Sequence, residues 1–465
     1  FRGPQPAVFQ GLVTASPQAI EIGMQQEELA AALDRANPRD ISIVDGEGRE
    51  IGDILYQHRF DGVRHYYFLA NTSRERSYEA TIKVDLAGGV EEWDLDSGDI
   101  RHAGSLRHTF PPAGSWAIAI DTSASAEPMR MPGTPKGAKS EVMAGPFKFR
   151  RLHPNTLVLD FCRYWLNGGP ETGPVPVWRV RQAAFDAAGL RAYAGLQPWA
   201  LEWKGIRPEK TARVRMRFEF ESELERPNAW LVVEKVQDFQ VLFNGQPASA
   251  PDGWHWDKQF SRVPVGSRIR RGANQVELTT VYKPGVEIED IFLIGDFATR
   301  KVSEVKYVLV AEPAELTAGD WVQQGYHFYS GNMSYQVPVT FQPGQRIRVR
   351  LRQPVGGTTF LVTAGGRAVA QMGWQPWEAD ITAGLKPGRN LVELIVVSSL
   401  QNAFGPLHND LYRTQGNNWW FGPNAFTDLK RWTDAYYHAP HGPGEVELLR
   451  SRRPAARKAV KSDER

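Results

Sequence analysis

The chain has 465 residues, enough for about three domains that each bury a core of their own. Apolar residues make up 42% and charged residues 23% of the sequence, and no apolar run is long enough to span a membrane. The net charge of +2 conceals a basic end, because residues 450–465 carry seven Lys or Arg and two acids, which leaves −3 for the rest. A basic surface for nucleic acid is therefore not indicated.

The single cysteine, Cys162, excludes an intramolecular disulfide and any cysteine-based zinc cluster. It lies in an apolar run, which is typical of a buried, inert thiol. The 43 Gly and 32 Pro favour short strands and many turns over long helices.

Residues 1–40 are predicted to contain one amphipathic helix rather than a domain. Leu29, Ala32 and Leu33 lie on one side of this helix, and Asn37-Pro38 ends it because the residue before a proline is pushed out of the α region. One helix cannot bury its own apolar face. We interpret the segment as the C-terminal remnant of an upstream α/β domain, so that any targeting segment would lie upstream of Phe1.

Residues 41–122 are predicted to form a small antiparallel β domain. Two strand-like runs flank Asp61-Gly62, a pair that favours a tight hairpin turn. Residues 123–146 are rich in Ser, Ala, Pro, Gly and Met and are predicted to be a linker.

A strand signature then occurs twice. Gly-Ala-Asn-Gln-Val-Glu-Leu at 272–278 returns as Gly-Arg-Asn-Leu-Val-Glu-Leu at 388–394. Each copy follows a strand, an Asn-Gly or Gly-Gly turn and a stretch with two Trp. The repeat predicts two copies of one β-sandwich module, residues 147–300 and 301–449, followed by a disordered basic tail at 450–465.

Several of the fifteen Trp lie near turns, between predicted strands. An indole can stack on the apolar face of a pyranose while nearby carboxylates accept hydrogen bonds from its hydroxyls. The predicted sugar-binding residues are Trp254, Trp256, Asp257, Trp374, Trp377, Asp380, Trp419 and Trp420. The alternative is that the indoles close the open ends of the two sandwiches.

No catalytic centre is predicted. Glycosidic bond cleavage needs two carboxylates that flank the bond, whereas Glu287 and Glu289 would point the same way from one strand. His438 and His441 are separated by Pro440 and have no acidic partner nearby. Hydrolase-elbow, zincin and P-loop motifs do not occur, so neither a metal site nor a cofactor is predicted.

Some stretches carry a resemblance to a known family. They are residues 319–331 (Gly-Asp-Trp-Val-Gln-Gln-Gly-Tyr-His-Phe-Tyr-Ser-Gly), 374–381, Gly388-x-Asn390, 399–406 (Ser-Leu-Gln-Asn-Ala-Phe-Gly-Pro), 56–71, 93–98 and 289–297. Together they resemble the C-terminal half of large bacterial glycoside hydrolases, closest to the α-L-rhamnosidase-like enzymes of glycoside hydrolase family 106. The resemblance covers nearly all of residues 41–449.

The resemblance implies a mainly β chain: a small antiparallel β domain followed by two galactose-binding-like jelly-roll sandwiches. In that family the catalytic acid and base and a calcium ion belong to a barrel domain that this sequence lacks, so no catalytic residue is carried over. The chain would then be an accessory, non-catalytic region acting with an upstream catalytic domain on exported or plant-derived glycans. A periplasmic or secreted location is implied.

Two alternatives remain open. The chain could be a stand-alone carbohydrate-binding protein that uses its Trp residues as platforms. It could also be a purely structural scaffold, which requires all six named indoles to be buried.

Overall fold

The computed structural model describes residues 39–95, 98–103, 105–123, 139–143, 145–193, 195–356, 359–409 and 431–452, together with residues 28, 29, 32, 33 and 35. Those last five residues, from the predicted N-terminal helix, are all helical. The predicted basic tail beyond residue 452 lies outside the described residues. The chain is mainly β, as the sequence predicts, and divides into two compact units.

The first unit comprises Phe1–Thr134 with Trp374–Pro376. Its strands form two antiparallel sheets, β1-β4-β7 and β2-β3-β8-β5-β6, around a core that includes Ile82, Leu69 and Trp116. The strands are β1 (Ile41–Val44), β2 (Ile54–Phe60), β3 (Arg64–Asn71), β4 (Tyr78–Val84), β5 (Gly89–Trp93), β6 (Ile100–His102), β7 (Arg107–Phe110) and β8 (Ser115–Asp121). The predicted hairpin joins β2 to β3, and its turn is fixed by Asp61, whose carboxylate accepts the N–H of Arg64 at 2.8 Å.

Within its described residues, the second unit holds the remaining strands and three α-helices. The strands before residue 250 are β9 (Lys139–Met143), β10 (Phe149–Arg151), β11 (Asn155–Leu159), β12 (Phe161–Leu166), β13 (Thr172–Pro176), β14 (Arg213–Ser222), β15 (Ala229–Glu234), β16 (Gln240–Phe243) and β17 (Gln246–Pro247). The later ones are β18 (Gly253–His255), β19 (Asp257–Pro264), β20 (Gly272–Val281), β21 (Ile291–Gly295), β22 (Ala298–Ser303), β23 (Lys306–Val310), β24 (Met333–Phe341), β25 (Gln345–Arg352), β26 (Thr359–Ala364), β27 (Arg367–Met372), β28 (Glu378–Asp380), β29 (Gly388–Val397) and β30 (Glu445–Arg452). The helices are α1 (Val177–Ala187), α2 (Pro198–Trp203) and α3 (Gln401–Phe404). No described helix is long and apolar enough to cross a membrane.

These strands form two β-sandwiches. In the first, the sheet β11-β21-β15-β19-β18 packs on β13-β12-β14-β20-β16-β17, where β23 also joins β14 and β22 pairs with β23. Leu231 and Leu293 from one sheet share a core with Phe218 and Leu278 from the other. The second sandwich packs β9-β30-β25-β28 on β10-β24-β29-β26-β27, around Val349 and Tyr335.

The two sandwiches have the same connectivity. Strand for strand, β11-β21-β15-β19 corresponds to β9-β30-β25-β28, and β12-β14-β20-β16-β17 corresponds to β10-β24-β29-β26-β27. The repeat in the sequence is thus a repeat in topology. The correspondence also means that the first sandwich, β11 to β23, is inserted whole between β10 and β24 of the second.

This insertion differs from the predicted linear order of domains. Residues 139–143, predicted as linker, form β9 and pair with residues 446–450 of β30. Residues 149–151, predicted in the first sandwich, form β10 and pair with β24 of the second. Residues 450–452, predicted in the tail, continue β30. Pairings between strands so far apart in sequence leave no local pattern from which they could be predicted.

The repeated Gly-x-Asn signature has the same hydrogen-bonded turn in both copies. Asn274 accepts the N–H of Arg270 at 3.0 Å and donates to the carbonyls of Arg270 at 2.7 Å and Gly272 at 3.0 Å. Asn390 makes the same three bonds, at 3.0, 2.7 and 3.0 Å, to the residues four and two positions before it. The glycines have φ of +83° and +96°, which side chains with a Cβ rarely adopt. The signature therefore fixes the turn that leads into β20 and β29.

Glu447 connects β9 to the neighbouring strands of the second sandwich. Its side chain is 1% exposed and lies 3.1 Å from Arg352 and 3.4 Å from Arg350, and it also accepts the hydroxyl of Ser140 in β9. Burial acts to raise the pKa of this carboxyl. The Ser140 hydroxyl and the two guanidiniums outweigh burial and hold the pKa below its ordinary value of 4.5.

Replacing Glu447 by Gln is expected to lower the free energy of unfolding by about 1–3 kcal/mol at neutral pH, because Ser140, Arg350 and Arg352 would no longer contact a buried negative charge. A lowered folded-state pKa stabilises above the unfolded value of 4.5 and ceases to do so as the pH falls through the folded value, so the difference should shrink in acid. Denaturant unfolding followed by circular dichroism measures both effects. Glu445→Gln, an exposed site on the same strand, is the control, and equal losses in the two variants would contradict the role of Glu447.

Candidate functional site

The structure separates the predicted pair Trp254 and Trp256. Trp254 in β18 is 55% exposed. Trp256 packs edge-on against Phe292 and Phe404, with ring centroids 5.0 Å apart in both cases. Trp256 therefore packs between the first sandwich and α3, while Trp254 faces solvent.

The second predicted pair divides in the same way. Trp377 packs edge-on against Phe360 of the second core at 5.1 Å, whereas Trp374 is 36% exposed. Asp380 lies 2.6 Å from the guanidinium of Arg346. Burial acts to raise the pKa of Asp380, but hydrogen bonds from the neighbouring threonine and from Arg346 lower it. Asp380 is thus committed to a local ion pair.

The one remaining predicted residue that the structure describes adds no shared site. Asp257 accepts the backbone N–H of Gln259 at 2.8 Å, a contact within one turn. Trp419 and Trp420 lie outside the described residues. Because Trp254 and Trp374 expose indole surface, the requirement of the purely structural alternative that every named indole be buried is not met. Sugar binding by these residues stays a prediction.

The carboxylates and histidines weighed in the sequence are held by separate partners. Glu287 lies 3.5 Å from the amine of Lys235, and Glu289 lies 2.8 Å from the guanidinium of Arg181. Burial raises the pKa of both carboxyls. His441 is buried at 1% exposure. Among the described residues, no group of three or more His, Cys, Asp or Glu side chains is placed to hold a metal ion.

A different feature, a split along one edge of β14, borders a cavity of about 570 Å³. One edge of β14 pairs with β20 without interruption, from Arg213 to Ser222. Along the other edge, antiparallel β12 pairs with residues 214–217 and parallel β23 pairs with residues 221 and 222. Among the described strands, residues 218–220 therefore have a partner on one edge only. We call this place the β14 split.

Ion pairs line the β14 split on both sides. The amine of Lys306 lies 2.6 Å from Glu221, where β23 begins. On the β12 side, Glu171 accepts from Arg163 at 3.0 Å and from Arg217 at 2.9 Å. Arg163, Arg217, Glu221 and Lys306 all line the cavity. The lining therefore contains both charged donors and carboxylate acceptors.

One of these lining residues has an unused donor. Nε of Arg217 is buried and makes no hydrogen bond within the described residues. It lies 3.5 Å from the carboxylate of Glu219, an ion pair that falls outside hydrogen-bond geometry. The guanidinium also lies 5.0 Å from the ring centroid of Trp165, which limits its freedom. A buried donor without a partner is costly, so a ligand or water acceptor at this point would satisfy it.

Asp160, which lines the cavity, belongs to a buried charge network. Asp160 is 5% exposed and lies 2.8 Å from Nε2 of His408, and it also accepts the hydroxyl of Tyr436. Nδ1 of His408 lies 3.0 Å from the carbonyl of Thr433. Both ring nitrogens face acceptors, an arrangement that favours an imidazolium ring donating to both of them. Burial lowers the pKa of His408, but Asp160 and the carbonyls raise it above its ordinary value of 6.5.

Two further groups lie near this network. Cys162 is buried, and burial together with the charges of Asp290 and Asp160 raises the pKa of its thiol. Burial and the charges of Asp160 and Glu289 also raise the pKa of Asp290 well above its ordinary value. The thiol is buried, as its sequence context predicts, and the raised pKa favours its protonated form.

None of the six predicted sugar-binding residues that the structure describes lines this cavity. In the sequence, Asp160 is an isolated acid in an apolar run, and β14 alternates charged and apolar residues as a solvated strand face does. An acidic residue inside an apolar run was the one feature of the sequence that could have indicated a buried charge at Asp160. Its partners His408 and Tyr436 are 248 and 276 residues away, so local patterns could not connect them.

Comparison with known proteins gives structural neighbours only. No family model matches the sequence, and no curated protein matches it. Solved structures similar to the chain include rhamnosidases and other glycoside hydrolases. A rhamnosidase from Novosphingobium sp. PP1Y is 12% identical with a TM-score of 0.39, over 96% of this chain and 28% of that one.

Two more neighbours show the same partial coverage. An α-L-rhamnosidase from Streptomyces avermitilis is 12% identical with a TM-score of 0.24, over 88% of this chain and 39% of that one. A β-D-mannosidase from Dictyoglomus thermophilum is 11% identical with a TM-score of 0.21, over 52% of this chain and 31% of that one. The chain thus spans well under half the length of these proteins.

The Asp160–His408 pair predicts a specific pH dependence of stability. A pKa raised in the folded state stabilises fully below the unfolded value of 6.5 and ceases to do so as the pH rises through the folded value. We therefore expect the melting temperature of the His408→Gln variant to fall furthest below that of the unchanged chain in mild acid, and the gap to narrow in alkali. Scanning calorimetry across this range measures it, with the exposed His102→Gln as the control. A gap that widens as the pH rises would contradict the imidazolium assignment.

Proposed function

We propose that this chain is a non-catalytic, sugar-binding region of a larger glycoside hydrolase, and that the β14 split is its sugar site. The observation that carries the proposal is that the buried Nε of Arg217, a residue on the wall of the cavity, makes no hydrogen bond within the described residues. A buried donor on the wall of a cavity fits a ligand that is rich in acceptors. Sugar hydroxyls are such acceptors, and they also donate.

The dimensions and lining of the cavity suit a small saccharide. Its volume of about 570 Å³ falls within the rough range of 300–1,000 Å³ of small-molecule sites. Phe161, Tyr307 and Tyr436 supply aromatic surface, and the ion pairs of the lining supply both donors and acceptors. A pyranose has apolar ring faces and hydroxyl edges, and these two kinds of lining match them.

The carboxylates of the cavity favour binding over cleavage. Glu219 and Glu221 are two residues apart on β14, so their side chains leave the strand on the same side and cannot flank a glycosidic bond. Asp160 is already bonded to His408 and Tyr436. Cleavage would then belong to an upstream catalytic domain of the same polypeptide.

The nature of the parent protein rests on sequence motifs. Residues 319–331 and 399–406 resemble the α-L-rhamnosidase-like enzymes of glycoside hydrolase family 106, with galactose-binding-like jelly-roll modules. We therefore infer a rhamnosidase-like parent in the periplasm or outside the cell, acting on exported or plant-derived glycans. A stand-alone carbohydrate-binding protein is the alternative, favoured by the 55% exposure of Trp254. It differs in needing no second domain.

The test compares two neighbouring arginines on β14. Arg217→Lys keeps the charge but removes the Nε donor, so the dissociation constant for L-rhamnose or a rhamnose-containing oligosaccharide should rise about tenfold or more. Arg215→Lys is the matched control, because Arg215 also covers Trp165 but does not line the cavity. Isothermal titration calorimetry on the full chain measures both constants.

Each other outcome counts against the proposal. Equal affinities in the two variants, with binding abolished by Trp254→Ala, would place the sugar on β18 instead. Absence of binding to any mono- or oligosaccharide would leave a structural scaffold as the function of the chain.

A further inference from the structure

Helix α2 presents two tryptophans to solvent on one side. Trp199 is 60% exposed and Trp203 is 80% exposed. Residues four apart on a helix are surface neighbours, with Cβ atoms about 5–6 Å apart. On the opposite side of α2, Leu201 is fully buried in the first core and Ala200 is 8% exposed. The two indoles therefore form one exposed aromatic face, and they do not belong to the core of the first sandwich.

The backbone beneath this face is fixed at both ends. The carbonyl of Pro198 accepts the N–H of Gly285 at 3.2 Å. At the other end, Gly205 has φ of +66° and the N–H of Ile206 closes the helix on the carbonyl of Leu201 at 3.0 Å. A face held this way loses little conformational entropy when a ligand binds.

The segment around α2 carries a net positive charge. Residues 189–210 contain four Lys or Arg and two Glu, a local charge of +2 within a body of −3. Lys204, Arg207 and Lys210 are exposed, and none of them makes an ion pair with a described residue. Glu202 is directed at the neighbouring loop, where a Cβ on Gly285 would meet its carboxylate. The cations next to the indoles are thus available to an external anion.

We propose that α2 and the cations that follow it bind an acidic polysaccharide, a glycan chain that carries uronic-acid carboxylates. The indoles stack on successive pyranose faces while Lys204 and Arg207 pair with the carboxylates. The inference rests on the proposed carbohydrate-binding function but concerns a surface that shares no residue with the β14 split. It adds a site for a long chain to a site for a small saccharide.

The size of the face argues against two other occupants. Two Trp side chains offer roughly 300–500 Å², well below the roughly 800 Å² that each partner contributes to a stable protein interface. A helix lying on a membrane needs a broad apolar face, whereas the other apolar residues of α2 point into the protein core. A ribbon-like glycan needs neither a large area nor a continuous apolar face.

Affinity electrophoresis of the full chain in gels with polygalacturonate or with neutral galactomannan tests the proposal. Polygalacturonate should retard the chain and galactomannan should do so far less. Trp199→Ala with Trp203→Ala should abolish the retardation, and Lys204→Gln with Arg207→Gln should reduce it severalfold. Added salt should weaken it as well, because exposed charges are screened. Phe68→Ala, an exposed aromatic in the first unit, is the control that should behave as the unchanged chain.

Unchanged retardation in the tryptophan double variant would overturn the proposal, and so would equal retardation by both polysaccharides. If polygalacturonate fails to retard the chain while the Arg217-dependent affinity for small saccharides persists, the α2 surface is refuted and the proposed function stands. Tryptophan-dependent self-association in light scattering, or tryptophan-dependent binding to anionic lipid vesicles, would assign the face to a protein or a membrane and also overturn it.

Discussion

The pairing of β9 with β30 is the constraint on which the second unit depends. It joins residues 139–143 to residues 446–450, so the second sandwich is completed by strands that lie on either side of the whole first sandwich in the sequence. Glu447, buried between Ser140 and two arginines, makes this closure a charge-assisted contact rather than a simple strand edge. The two chain segments that lead into and out of the inserted first sandwich are also joined by an ion pair. Arg151 at its entry bonds to Glu312 at its exit at 3.0 Å.

The same insertion accounts for the β14 split. The chain must leave the first sandwich through β22 and β23 to reach β24, and β23 joins β14 in parallel for two residue pairs only. β12 reaches β14 from the opposite direction and begins at Phe161, directly after Asp160. A short stretch of β14 remains without a second neighbour. Tyr436, from the segment that precedes the last strand of the second sandwich, covers Asp160, so both sandwiches contribute to the site.

The sequence predicted the fold class and the repeat because both depend on local patterns. Alternation along strands, the Asp61-Gly62 turn and the Gly-x-Asn turns are each decided within a few residues. The order of the sandwiches depends on pairings across about three hundred residues, as between Ser140 and Glu447, and no short pattern encodes them. The sequence did not indicate the candidate site at the β14 split for the same reason. A Trp near a predicted turn, such as Trp254, is easily recognised in the sequence as a candidate for binding. Arg217 has the sequence pattern of an ordinary outward-facing charge on β14.

A crystal structure of the chain with a bound oligosaccharide measures the central claim most directly. If the β14 split is the sugar site, a saccharide oxygen will lie within hydrogen-bond distance of Nε of Arg217, between the starts of β12 and β23. A saccharide bound elsewhere with the split filled only by water, or a split closed by continuous strand pairing along β14, would contradict that claim.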